Sequence, residues 1–264
     1  VLLEIKRDFM GSRYMQKEHQ RDTVDLVFHG DTGCYTMLMF EPFSAIFHSY
    51  SGMGLGGGTG AGIDPFITNK QVVFMGDSTF FHSGMIAISD SIKHGQDITY
   101  IILDNKTTAM TGQQPTPGND PDIMGYATVA QKIEAIIKGM TQGTEIPVIR
   151  TNPAYKDTYR KLIERLLLKD GVKVIIADKE CGITYHRRMK LQRDRLVRLE
   201  GFIPKERHVN ITPEVCEFCL ECTKATGCPG LTIIETPYGP KIATDRSSCV
   251  ADGACVKVRA CPAF

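Results

Sequence analysis

Net charge is nearly absent from this chain, in which 31 Lys and Arg face 30 Asp and Glu. No overall field recruits a nucleic acid or an anionic membrane surface. No apolar run approaches the roughly 20 residues that cross a bilayer. The basic-then-apolar start of a signal peptide is missing as well. A cytoplasmic protein with no nucleic-acid or membrane partner is the expectation. There is no low-complexity tract and no internal repeat outside the cysteines. Cysteine itself is scarce before residue 216, where only Cys34 and Cys181 occur. The other seven of the nine lie between Cys216 and Cys261, and such crowding without a secretory signal favours metal over disulfides. With 264 residues, 42% of them hydrophobic, one large domain and one small one are expected. The chain opens at Val1 in mid-pattern, so a preceding part, or a second polypeptide that completes it, is expected too.

Five apolar runs read as strands: residues 24–28, 72–75, 98–103, 146–149 and 172–177. Between the last two, a helix is predicted to start at Asn152-Pro153 and to end at Gly171. Tyr155, Tyr159, Leu162, Ile163, Leu166 and Leu167 form its core stripe. Repeated strand, helix, strand alternation argues for an α/β domain, a parallel sheet with helices on both faces. The second run breaks into Gly76-Asp77-Ser78 and the third ends in Asp104-Asn105. Ligands bind at such strand ends in parallel sheets. Gly76 permits close backbone approach, and the helix that follows offers N–H groups to a phosphate. Asp77 and Asn105 offer hard oxygen ligands to a magnesium ion holding that phosphate.

The segment SGMGLGGGTGAG at 51–62 contains G-x-G-x-x-G matches. No clean strand feeds it and no ribose-binding acid follows, so close packing beside a cofactor is expected rather than a nicotinamide site. The Pro/Gly loop at 111–122 leaves the same sheet edge and is expected to be functional. Residues 185–208 are rich in Arg and Lys and read as a solvated linker or helix between domains, or as a docking surface for an acidic partner. The expected division is therefore 1–184, a basic linker 185–208, and 209–264.

Cys216-x2-Cys219-x2-Cys222-x5-Cys228-Pro229 is the strongest motif. Three thiolates at this interval wrap one face of an iron-sulfur cube, while the distant fourth, followed by proline, points to a second cluster. A zinc site normally takes two pairs. Cys249, Asp252, Cys255 and Cys261 repeat the spacing, with Asp252 where the middle cysteine would stand. Crossing the fourth ligands gives a 4Fe-4S cluster on Cys216, Cys219, Cys222 and Cys261. A second cluster would sit on Cys228, Cys249 and Cys255, with Asp252 as an oxygen ligand or beside an empty corner, and would interconvert between 4Fe-4S and 3Fe-4S forms. The alternative is a single cluster with Asp252 exposed. Residues 231–244 read as a hairpin turning at Tyr238-Gly239-Pro240.

GDSTFFHSG, LDNKTTAMTGQQPTPG and the cysteine pattern together resemble the indolepyruvate ferredoxin oxidoreductases, from about Asp25 to the end of the chain. The resemblance implies a thiamine-diphosphate-binding sheet followed by a small ferredoxin-like iron-sulfur domain. It implies oxidative decarboxylation of an aryl 2-oxo acid such as indolepyruvate to an acyl-CoA and carbon dioxide, with electrons passed to ferredoxin. Branched-chain or other 2-oxo acids, and a non-catalytic electron-transfer module, are the alternatives. Magnesium would be held by Asp77, Asn105 and the Thr107 carbonyl. Gly76, Ser78 and Thr79 would line the diphosphate, and Met53 would be the apolar prop under the bent cofactor. Gly33 and Cys34 would stand beside it, Cys34 as a packing residue. His82 would contact diphosphate or substrate, or cap its helix. Cys181 is expected in the core or just behind the site. Ser78 departs from the last glycine of the general GDG pattern. The pyrimidine-binding domain, whose glutamate activates the cofactor, is expected on a separate part or on a second, beta- or gamma-type subunit. Alone, the chain is expected to bind the diphosphate end weakly and to turn over poorly.

Overall fold

A computed structural model describes residues 1–141, 143–203, 208–259 and 261–264. The chain divides into two units, Val1–Glu180 and Cys181–Phe264.

The first unit is built on a six-stranded sheet ordered β2-β1-β3-β4-β6-β5, with every pairing parallel. Its strands are β1 (Leu26–Gly30), β2 (Ser49–Tyr50), β3 (Lys70–Gly76), β4 (Ile98–Asp104), β5 (Val148–Thr151) and β6 (Lys173–Asp178). Side chains alternate between two cores, as a pleated strand requires. Phe28, Val72, Phe74, Ile101 and Ile175 face one core with Phe9, Tyr159 and Ile163. Val73, Met75, Tyr100, Ile102, Val174 and Ile176 face the other with Ile88, Ile133 and Ile137. The sheet is thus covered on both faces. On the first side lie α1 (Leu2–Phe9) and, past its intervening helices, the amphipathic Lys156–Leu167. On the second lie α2 (Gly56–Ile63), α3 (Met85–His94) and α4 (Ile133–Met140). The helix Lys156–Leu167 is α5.

Four expectations are adjusted. Helix α5 starts at Lys156, because the Asn152 Oδ1 accepts the Ala154 N–H at 2.9 Å in a local turn, which leaves Tyr155 outside the helix. It ends at Leu167, with Gly171 in the turn to β6, where its φ of +83° suits glycine. Strand β5 runs two residues later than expected. Pro147 lies just before it at the sheet edge, its carbonyl accepting the Val174 N–H at 2.9 Å. The glycine-dense segment forms helix α2, and its inner glycines Gly56, Gly57 and Gly60 let it pack closely on the sheet and on α3. A Cβ on Gly57 would lie 2.6 Å from the Ala87 Cβ, and one on Gly56 would lie 3.1 Å from the Gly30 carbonyl carbon.

In the second unit the basic stretch starts within α6 (Gly182–Glu200), a helix with no buried residue. Residues 204–207 of that stretch lie outside the described residues. Then come α7 (Glu221–Thr226), the antiparallel pair β7 (Leu231–Thr236) and β8 (Gly239–Thr244), and α8 (Ala254–Val258). The hairpin turns at Pro237-Tyr238 rather than at Tyr238-Gly239-Pro240, since Pro240 already pairs with Glu235. Gly239, at φ +90°, closes the turn.

Candidate functional site

From β1 the chain runs out to the edge strand β2, and from β3 onward it builds in the opposite direction. The switch point therefore lies between β1 and β3. A ligand site is expected beyond the carboxyl ends of the strands there. Gly30 ends β1, Gly76 ends β3 and Asp104 ends β4. The loops they feed enclose a cavity of about 110 Å³. Gly33, Cys34, Met53, Gly76, Asp77, Ser78, Thr79, Asn105 and Thr107 all line it. His82 does not: it is exposed on the helical segment that follows Asp77, in a π-helical turn spanning Phe80–Gly84. Cys34 is exposed on the cavity wall instead of packed in the core. Cys181 is half-buried immediately before α6.

Asp77 begins the helical segment and is buried. Its Oδ1 accepts the Ser78 N–H at 2.8 Å and its Oδ2 the Thr107 N–H at 3.1 Å. The Thr107 N–H is shared with the Asn105 Oδ1, also at 3.1 Å, which brings the amide and the carboxylate to one backbone group. Burial pushes the Asp77 carboxyl up to about 6, against these N–H bonds and with help from the Asp104 charge. Among the described residues no cation pairs with Asp77. A buried carboxylate lacking a basic partner, next to an amide oxygen and a helix start, suits a divalent cation and the phosphate it carries.

A larger cavity of about 410 Å³ lies along the same sheet edge, lined by Asp104, Lys106, Glu134, Arg150 and Asp178 among others. Its charges are already matched. Arg150 pairs with Glu134, with Asp104 at 2.6 Å and with Asp178 at 2.7 Å, while Lys106 reaches Asp104 at 2.5 Å. This network fastens the ends of β4, β5 and β6 together.

One functional candidate escapes sequence reading. Asp31, just beyond β1, is fully buried and accepts the Tyr35 hydroxyl and, at 2.9 Å, the Gly54 N–H. In sequence it is only a turn residue among glycines, and its partner Gly54 is distant along the chain.

In the second unit the thiols fall into two sets. Burial pushes the Cys222 thiol up, and the charges of Cys261, Cys219 and Cys216 add to the shift. Burial likewise raises Cys255, whose thiol neighbours are Cys228 and Cys249. Backbone donors address the sulfurs: Ile242 N–H to Cys216 Sγ at 3.3 Å, Ala251 N–H to Cys249 Sγ and Ala263 N–H to Cys261 Sγ, both at 3.4 Å. The two loops wind alike. Phe218 and Leu220 flank Cys219 with positive φ, and Ala251 and Gly253 flank Asp252 the same way. Asp252 thus occupies the place of a middle cysteine in the winding, with its Oδ1 accepting the Ala254 N–H at 3.0 Å. Among the described residues no three His, Cys, Asp or Glu side chains close on a single metal ion. The donor set of crossed thiolates with N–H groups on the sulfurs fits iron-sulfur clusters.

A parallel sheet whose cavity at the strand ends is lined by a buried Asp77 and a half-buried Asn105 is an arrangement that suits a diphosphate cofactor. Residues 31–177 match the family described as thiamine pyrophosphate enzyme, C-terminal TPP binding domain, and the chain belongs to that family. It is similar to the indolepyruvate oxidoreductase subunit IorA of Archaeoglobus fulgidus, 33% identical over 238 residues, covering 90% of this chain and 35% of that one. The subunit of the same name from Methanothermobacter marburgensis is 35% identical over 207 residues, or 78% of this chain and 30% of that one. The chain therefore spans about a third of the length of these relatives. The fold matches a 2-oxoglutarate:ferredoxin oxidoreductase from Magnetococcus marinus, with a TM-score of 0.52 at 15% identity over 70% of this chain and 67% of that one. Among the described residues no helix is long and apolar enough to cross a membrane.

Proposed function

We propose that this chain is the thiamine-diphosphate-binding and electron-exit part of a 2-oxoacid:ferredoxin oxidoreductase. The favoured substrate is an aryl 2-oxo acid of the indolepyruvate type, converted to an acyl-CoA and carbon dioxide with electrons passed singly to ferredoxin. The observation that carries the reading is the pairing, in one chain, of a buried, cation-less Asp77 beside Asn105 with two sets of thiols in space. Thiamine diphosphate, when bound, would supply the electron sink for decarboxylation of a 2-oxo acid. Asp77, Asn105 and the Thr107 carbonyl would hold magnesium. Gly76, Ser78 and Thr79 would hold the diphosphate, and Met53, with Gly33 and Cys34, would shape the ring end. The position of His82 supports no contact with cofactor or substrate. A ferredoxin-like domain on Cys216, Cys219, Cys222 and Cys261, and on Cys228, Cys249 and Cys255 with Asp252, would carry the electrons away. Names of the relatives support indolepyruvate, while nothing in the cavity distinguishes it from branched-chain acids. The partners would be a pyrimidine-binding domain that activates the cofactor, a second subunit, CoA and ferredoxin.

The test is Asp77→Ala in the full-length protein assembled with its partners, given a panel of 2-oxo acids at fixed CoA and acceptor dye. Indolepyruvate is expected to be turned over fastest by the wild type. The variant is expected to lose thiamine-dependent dye reduction while keeping its iron and its brown absorbance. Surviving activity overturns the catalytic assignment and favours a non-catalytic electron carrier. Iron and sulfide equal to one cube per chain would remove the second cluster.

A further inference from the structure

Besides Asp77 and its neighbours, the cavity is lined by Met53 and Tyr35. Both hang on one buried carboxylate. Asp31 Oδ1 accepts the Tyr35 hydroxyl, and Oδ2 accepts the N–H of Gly54, the residue directly after Met53. The Gly56 N–H, first in α2, also donates to this carboxylate, so Asp31 acts as a cap supplied from the turn after β1. Helix α2 needs such support. Its sequence GGGTGAGI is poor in helix formers, and its own N-cap residue, Leu55, makes no side-chain cap. Gly54 sits at φ +84°, with Ser83 against the position a Cβ would take. The turn that presents Met53 therefore offers only its backbone at this point, and the Asp31 carboxylate grips it there. Tyr35, held by the same carboxylate, leans toward Thr79 and the Gly76 backbone on the diphosphate side.

We propose that Asp31 is a positioning residue that shapes the thiamine diphosphate cavity by anchoring Tyr35 and the Met53–Gly54 turn. The inference rests on the assignment of this cavity to thiamine diphosphate.

The experiment titrates the full-length protein, assembled with its partners, by calorimetry with two probes, thiamine diphosphate plus magnesium and inorganic pyrophosphate plus magnesium. Asp31→Ala is expected to bind thiamine diphosphate about five- to tenfold more weakly, the effect of losing a cap. Asp31→Asn keeps an oxygen for the Gly54 N–H and an amino group for the Tyr35 oxygen, and it is expected to recover near-wild-type affinity. If Asp31→Ala does not fold, Tyr35→Phe decides, since it deletes one donor only and must show a smaller loss of thiamine diphosphate affinity, about threefold. Unchanged thiamine diphosphate affinity, or an Asp31→Asn as poor as Asp31→Ala, overturns the positioning role. A wild type that binds pyrophosphate but gains nothing from the thiamine ring removes the cofactor assignment, and this inference with it.

Discussion

In residues 1–180, Val72, Val73, Tyr100, Ile101, Val174 and Ile175 are wholly buried between helices on two faces. In residues 181–264 the buried apolar cluster is Ile211, Cys216, Cys222, Ile242 and Ala263, of which two are cysteines in the proposed ligand set. The contrast shows how each unit prepares its chemistry. The larger unit holds its cavity by packing, with Asp77 and Asn105 fixed on the ends of strands that would be rigid without a ligand. The smaller one has too little apolar core to hold its loops. It also keeps Phe218, Leu220 and Ala251 in the left-handed region, where non-glycine residues persist only under outside constraint. Binding of the proposed clusters would supply that constraint, and metal affinity and folding would then be one process there.

Removing iron breaks this comparison most forcefully. Chelation of the full-length protein is expected to strip hydrogen-exchange protection from the β7–β8 hairpin by about two orders of magnitude, with β3 and β4 unchanged. Full protection of the hairpin without iron would mean that the two units do not differ in kind.

The next effect concerns the rigid unit. Burial raises the Asp77 carboxyl to about 6, so without cofactor the folded state holds this proton more tightly than the unfolded chain does. The stability this contributes is full below about pH 4 and is lost as pH rises through about 6. Asp77→Asn removes the loss and is expected to be about 1–3 kcal/mol more stable than the wild type at pH 7 without cofactor. The difference should vanish by about pH 4, as read by denaturation at both pH values. A gap of the same size at both would mean that burial of the charge is not its source.

The smallest effect sharpens the contrast at the surface of the second unit. Arg187, Arg188 and Arg195 are exposed on α6 and Arg193 is half-buried. Changing all four to Gln is expected to alter stability by less than about 0.5 kcal/mol. Affinity for an acidic partner at low salt should fall severalfold. Unchanged binding at low salt would leave the helix as a solvated surface.

Much of this was legible in sequence because strand and ligand spacing are local signals. Val72–Met75 and Ile98–Leu103 announce buried strands, and Asp77 and Asn105, just beyond the strands' ends, both line one cavity. In the second unit Cys222 has Cys216, Cys219 and Cys261 as thiol neighbours, and Cys255 has Cys228 and Cys249. What escaped depends on distant contacts. The two-residue β2 is too short to leave a pattern, and α1 shows its inward face only through Ile5 and Phe9. Helix α2 contradicts the propensity of its glycines, because close packing on β1, α3 and β4 outweighs it. His82 was placed by its closeness in sequence to Asp77, but the helical segment turns it to solvent. Asp31 reads as a turn residue until Gly54 and Tyr35 are seen to close on it.

The proposed function joins the two units: it requires chemistry at the Asp77 cavity to deliver electrons to clusters held by the cysteines. Rapid mixing of the full-length, assembled protein with indolepyruvate, with no external acceptor, tests it by the iron-sulfur absorbance. The account predicts bleaching within one turnover that requires bound thiamine diphosphate and is absent from Asp77→Ala. Bleaching that persists without thiamine diphosphate, or clusters that stay oxidised while carbon dioxide is released, would contradict it.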